Sequence, residues 1–274
     1  MLESCQAGVG LRPQHYPYLL ENKPKIACWF EAVSENYMDT EGRPIQVLEQ
    51  IRRDFPIALH GVSMSIGSAW GLDQDYLKSL KTLVDRIDPF IVSDHLCWTG
   101  LPDQNLHDLL PLPFTEQMLE LLLERVQRVQ DLLQRPILLE NVSSYLSYQQ
   151  SQYEEWAFLT ELSQRSDCKL LLDINNIYVS SQNHGFKALD YLEAIPKDCV
   201  GQVHLAGFTE ASTHLFDTHS KPVHSEVWGL FDRFISNASN IPFMVEWDDE
   251  IPEFPRLEEE LLKAVKLWSQ HHAP

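Results

Sequence analysis

The chain has 274 residues, 44% hydrophobic and 22% charged, enough to bury one large core and within the length that an α/β barrel fills as one domain. Its 21 Lys and Arg against 40 Asp and Glu leave a net charge of −19, which repels phosphate backbones; with no basic cluster in the sequence, a nucleic-acid partner is excluded. No stretch approaches the ~20 apolar residues of a membrane span, and the N-terminus lacks a basic region followed by an apolar one, so no membrane partner and a cytoplasmic location are expected. Five cysteines, an odd number without a CxxC pair, suggest neither a disulfide framework nor a thiolate zinc site and point to a reducing compartment.

In chain order, 9–11 predicts a short first strand, followed by Arg12, which can neutralise a substrate carboxylate. The strand over 29–33 delivers Glu31 within the sheet and Glu35 and Asn36 just beyond it, a second group of candidate substrate-binding residues. Apolar residues at 45, 48 and 51 share a helical face before the strand 57–60, which ends in His60. Asp73 or Asp75 can cap a helix running to Ile87, and the strand 90–94 then leads into Asp94 and His95.

From 98 to 113 no period is visible, so a long irregular connection is expected there, a candidate wall of a site. A strong helix over 115–133 precedes the strand 137–140, which ends in Glu140 with Asn141 behind it. After a helix over 153–162 comes the strand 170–173, three leucines closed by Asp173 and followed by Asn176. Such a continuous apolar run marks a strand buried on both faces, as in parallel sheets covered by helices. The strands 201–205, carrying His204, and 242–246, ending in Glu246, are separated by a long loop and a helix over 227–235; helices over 186–195 and 254–268 complete the chain.

Eight strands with helices between most of them predict a single (β/α)8 barrel over 1–274. A doubly wound open sheet is the alternative, but no GxGxxG follows an early strand. In a barrel the strand carboxyl ends share one mouth, so His60, His95, Glu140, Asp173, His204 and Glu246 would meet there. Three imidazoles and three carboxylates suit Fe(II), Mn(II) or Zn(II), and more than four ligands exceed one tetrahedral ion, so two or more metals are expected.

Asp217 and His219 lie two apart and, in an extended segment, can point to the same side; they join the ligand set, with His214 and His224 as weaker candidates. Asn176 can be a ligand, a water anchor or a turn former. Asp94, His95, Asn141 and His184 are candidate catalytic residues; His95 can be a ligand or an acid–base group oriented by Asp94, and His184 can pair with substrate or close a turn. His107 reads as a loop residue.

The motifs GVGLRPQHY at 8–16, WFEAVSENYM at 29–38, HGVSMSIG at 60–67, SDHLCW at 93–98, ENVSSYL at 140–146, LLLDINNIYVSSQNHG at 170–185, HLAGF at 204–208, DTHS at 217–220 and VEWD at 245–248 resemble, over nearly the whole chain, the DUF692 or UPF0276 family, the multinuclear non-haem iron oxygenases. The resemblance implies a TIM-type barrel holding two or three iron ions of mixed valence, which with dioxygen modify cysteines of a ribosomally made peptide. A small partner protein that presents the peptide is implied as well. By position the ligands would be His60, His95, Glu140, Asp173, His204, Asp217, His219 and Glu246; some peptide-modifying relatives have histidine where this chain has Asn176, which puts a third iron in question. Zinc or manganese can substitute in such a site. Two other classes remain open: a non-redox divalent-metal barrel enzyme, isomerase-like or hydrolytic, and a metal-binding protein without catalysis.

Overall fold

A computed structural model describes residues 6–101, 104–238 and 240–272. In chain order its strands are β1 (Ala7–Gly10), β2 (Trp29–Val33), β3 (Ile57–Gly61), β4 (Ile91–His95), β5 (Trp98–Leu101), β6 (Gln104–Leu110), β7 (Leu138–Glu140), β8 (Lys169–Asp173), β9 (Val200–Leu205), β10 (Thr209–Glu210), β11 (Leu215–Phe216) and β12 (Phe243–Val245). Eight of them form a closed parallel barrel in the order β1-β12-β9-β8-β7-β4-β3-β2, so the expected TIM-type architecture holds. Closure is made by β1, which pairs with β12 through Ala7 and Phe243 and with β2 through Gly8 and Trp29.

Side chains alternate across each strand, and the inward set changes character along the barrel axis. At the amino-terminal end Trp29, Ala58, Ile91, Leu138, Leu171 and Met244 form a dry plug. Two residues further along each strand the same face carries Glu31, His60, Ser93, Glu140, Asp173 and Glu246, all buried. The plug is tight at Gly8, where an added Cβ would stand 2.3 Å from the Trp29 ring. The outward set, including Phe30, Leu59, Val92, Leu139, Leu172, Val203 and Val245, packs under the helices.

Helices α1 (Tyr16–Glu21), α2 (Arg43–Arg52), α3 (Gln74–Ile87), α4 (Glu116–Leu133), α5 (Glu155–Ser166), α6 (Ile174–His184), α7 (Ala188–Ala194), α8 (Ser225–Ile235) and α9 (Phe254–His272) cover the barrel. The irregular connection expected over 98–113 is instead largely the antiparallel hairpin β5–β6, with Trp98 opposite Leu110. It leans out from the core, with Leu101 and Leu106 exposed, so no inside–outside alternation betrays it. Helix α6 was not expected because INNIYVSSQNH is rich in Asn and Ser, which favour caps and turns over helix interiors. Asp173 starts it by accepting the Asn176 amide at 2.6 Å.

No disulfide framework was expected from the cysteine spacing, yet Cys28 is disulfide-bonded. Cys97, Cys168 and Cys199 are free and buried. Among the described residues no helix is long and apolar enough to cross a membrane.

Glu258 of α9 ties the chain entering β2 to the outer layer. One of its carboxylate oxygens accepts from the amides of Lys25 at 2.7 Å, Ile26 at 2.7 Å and Ala27 at 3.2 Å. Glu258→Ala leaves these donors short of an acceptor and is expected to cost about 3 kcal/mol, read from urea unfolding; a loss under about 0.5 kcal/mol, the range of an ordinary surface change, would show that the clamp carries no weight.

Candidate metal centre

At the mouth the polar ends of the strands converge. His60, His95 and Glu140 bring one potential ligand atom each within 4.8 Å of one another, as do Glu140, Asp173, His204 and Glu246, and again His219, Glu246 and Asp248. The groups overlap: Glu140 belongs to the first two and Glu246 to the last two. Glu140 Oε2 lies 3.3 Å from His60 Nε2 and 3.4 Å from His95 Nε2, and Glu246 Oε2 lies 3.0 Å from His204 Nδ1 and 3.2 Å from His219 Nδ1.

Hydrogen bonds on the far side of each ring decide which nitrogen faces the centre. His95 Nδ1 lies 3.0 Å from the Gly61 carbonyl and must donate to it, so Nε2 keeps its lone pair for the mouth. Ser93 Oγ donates to the Leu59 carbonyl at 3.4 Å and accepts from His60 Nδ1 at 2.8 Å, with the same result. His204 Nε2 lies 3.1 Å from Glu31 Oε1, which leaves Nδ1 facing Glu246. This second layer of acceptors is what metal-binding histidines require to hold their tautomer.

The donor set fits cations on a direct count. Glu140 Oε2, Asp173 Oδ2 and Asn176 Oδ1 are buried and without a hydrogen-bond partner. Buried polar atoms are almost always satisfied, so three orphan oxygens around one pocket are a pattern that cations would complete. The electrostatics agree. Burial raises the Glu140 carboxyl well above the usual carboxylate range and Asp173 to about 7. Burial, reinforced by the neighbouring His60, lowers His95 well below the ordinary imidazole value. Burial opposes a charge on His204, yet Glu31, Glu246 and Glu140 raise it well above that value.

His219 reaches the centre from the loop after β11, with a left-handed φ of 45°. A non-glycine residue held there costs on the order of 1–3 kcal/mol and is typical of functional positions. Asp217 Oδ1 stands 2.7 Å from His219 Nε2 and accepts from Asn175 Nδ2 at 2.8 Å. Asp217, Asn176, His60, His95, His219, Glu246 and Asp248 line a cavity of about 230 Å³ that opens the centre to solvent.

Several candidates lie elsewhere. Asp94 is on the opposite face of β4 from His95, where it accepts from the Met64 amide at 3.2 Å and the Tyr76 hydroxyl at 3.2 Å. Glu35 shares that hydroxyl at 2.8 Å, and Asn36 is exposed on a short turn; neither lines the mouth. Glu31 is buried below the cluster and accepts from Gln202 Nε2 at 2.5 Å, so it orients His204 and is out of a substrate's reach. Arg12 pairs with Asp248 and lies 3.4 Å from Glu246, bracing two carboxylates of the centre.

Asn141 exchanges hydrogen bonds with the Asp173 backbone at 2.9 and 3.0 Å, which ties β7 to β8. His184 bonds Ser144 at 2.8 Å outside the cluster, while His224 stacks on Phe208 and His214 stands on the rim against Tyr145 and Phe216. The residue that sequence reasoning missed is Asp248. Its signal was present: it stands two after Glu246, the same spacing that joined Asp217 to His219.

Relatives share nearly the full length of the chain. A UPF0276 protein of Acaryochloris marina is 48% identical over 265 residues, covering 97% of this chain and 95% of its own. One from Caulobacter vibrioides is 47% identical, covering 96% and 94%, and one from Vibrio vulnificus 46%, covering 95% and 90%. Among solved structures, D-psicose 3-epimerase from Clostridium cellulolyticum superposes with a TM-score of 0.62 at 9% identity, covering 96% of this chain and 98% of its own. Endonuclease IV from Thermus thermophilus gives 0.59 at 14%, covering 97% and 100%. Those two likenesses establish the barrel fold alone. A family model described as RiPP precursor modification enzyme MbnB/TglH/ChrH matches residues 6–269, and the chain belongs to that family.

Proposed function

We propose that the protein is a multinuclear non-haem iron enzyme that uses dioxygen to modify cysteine residues of a ribosomally made peptide. The observation that carries this reading is the overlap of three ligand groups through Glu140 and Glu246, a layout that suits neighbouring ions sharing carboxylates. His60, His95 and Glu140 would hold one ion, Glu140, Asp173, His204 and Glu246 a second, and His219, Glu246 and Asp248 a third, with Asp217 and Asn176 at the edge. Bound iron would supply the one-electron chemistry with dioxygen that no side chain of the mouth can supply. Zinc or manganese would occupy the same donors as substituted metals.

The protein's own residues then perform three tasks. Ser93, the Gly61 carbonyl and Glu31 hold three imidazoles in the tautomer and orientation that bind a cation. Arg12 keeps Glu246 and Asp248 aligned. Val33, Val62 and Leu109 give the mouth apolar walls, which limit water around a side chain entering a cavity of about 230 Å³. A space of that size takes one or two side chains of an extended peptide rather than a folded substrate. A small partner protein that presents the peptide belongs to the same reading, and the net charge of −19 favours a positive face on the partner or on the peptide.

Anaerobic reconstitution with iron is expected to give two or three ions per chain, with dioxygen uptake when a cysteine-containing peptide is added. The zinc-loaded protein should be inactive. Activity retained with zinc, in the absence of oxygen, would favour the non-redox barrel reading instead.

A further inference from the structure

Beside the mouth, past the ends of β4 and β7, lies a second cavity of about 270 Å³. Leu96, the residue after His95, and Val142, two beyond Glu140, both line it, so it backs onto the strands that carry two members of the metal centre. Its walls are rich in aromatic rings: Phe114, Tyr148, Trp156 and Phe186, the last two with ring centroids 5.8 Å apart. Glu155, in the first turn of α5, lines the same space. Among the described residues no Lys, Arg or His forms an ion pair with its carboxyl, and burial pushes that carboxyl up to about 8. His184, bonded to Ser144, stands at the rim.

Aromatic faces attract cations, and a pocket with aromatic walls that also holds the carboxyls of Glu154 and Glu155 selects a ligand with an apolar stem and one positive charge. We propose that this cavity is a side-chain pocket for a lysine or arginine of the peptide, the stem against the rings and the cationic head on Glu155. Consecutive Cα atoms are about 3.8 Å apart, so the neighbouring positions of Leu96 and His95 put the pocket within a few residues' reach of the mouth for an extended chain. The pocket thereby fixes which residue of the peptide arrives at the metal centre. That the cation belongs to a peptide rests on the proposed function; the selectivity for a cation does not.

The test uses the full chain and ligand-observed NMR with Nα-acetyl-lysine methylamide, its arginine analogue and the neutral norleucine analogue. The cationic probes are expected to bind about tenfold or more tightly than norleucine, and whichever of the two binds tighter identifies the preferred side chain. Glu155→Gln should erase the preference for a cation while leaving norleucine binding unchanged, and Phe186→Leu should weaken both cationic probes. Equal affinity for norleucine, a preference that survives in Glu155→Gln, or no binding of any probe overturns the proposal. No metal, dioxygen or turnover enters the measurement, so its failure is distinguishable from failure of the oxygenase reading.

Discussion

Glu140→Gln is expected to cost the protein two of its bound ions and to abolish turnover. Glu140 belongs to two of the three ligand groups, and its Oε2, buried and without a hydrogen-bond partner, faces both His60 and His95. Glutamine keeps the volume but replaces a charge that can bridge two cations with a neutral amide. Metal ions contribute several kcal/mol of charge stabilisation to the reactions they support, so the loss corresponds to a fall on the order of 10³-fold in turnover. His219→Gln should remove a single ion, because His219 belongs to the outermost group alone. Metal analysis of the two variants beside the wild type measures the difference directly. A Glu140→Gln protein with its full metal complement would show that the groups do not act as one centre.

Chelation is expected to lower the melting temperature by roughly 5–15 °C at neutral pH. A ligand that binds only the folded state at 100 to 1,000 times its Kd adds about 3–4 kcal/mol, and each kcal/mol moves the melting point of a chain near this size by about 2–4 °C. The physical source is the crowding of carboxylates in one buried volume, where burial and mutual repulsion disfavour the charged forms of Glu140 and Asp173. Cations offset both effects. Scanning calorimetry of iron-loaded and chelator-treated protein checks the shift, and a chelated protein that melts as late as the loaded one would mean that the cluster is satisfied by its own hydrogen bonds. Glu258→Ala lies in the outer helical layer on α9, so its effect should add to that of chelation without coupling.

How much of the centre was legible follows from particular positions. Glu140, Asp173 and Glu246 each stand two residues after an inward apolar residue, Leu138, Leu171 and Met244, and two is the period of a strand. Local pattern therefore assigns each to the inner face without knowledge of any neighbour. The same rule assigns Asp94 to the opposite face from His95, so its pairing with His95 as an acid–base couple was open to correction from strand geometry alone. Helix α6 was hidden because its polar face turns inward: Asn175 and Asn176 are buried at the site, and a helix that buries amides does not show an apolar stripe.

The sequence by itself determined the strand-by-strand rhythm, the alternation of strands with helices and the residue types crowding the strand ends, since these depend on periodicity and length, which are properties of contiguous residues. Only the tertiary structure decided that Asp248 joins His219, that Glu31 serves His204 from below, that Arg12 braces Glu246, and that an aromatic cavity with Glu155 opens beside the centre. Those placements depend on loops and on closure of β1 against β12, where residues more than two hundred positions apart meet, and no local pattern encodes the distance between two such segments.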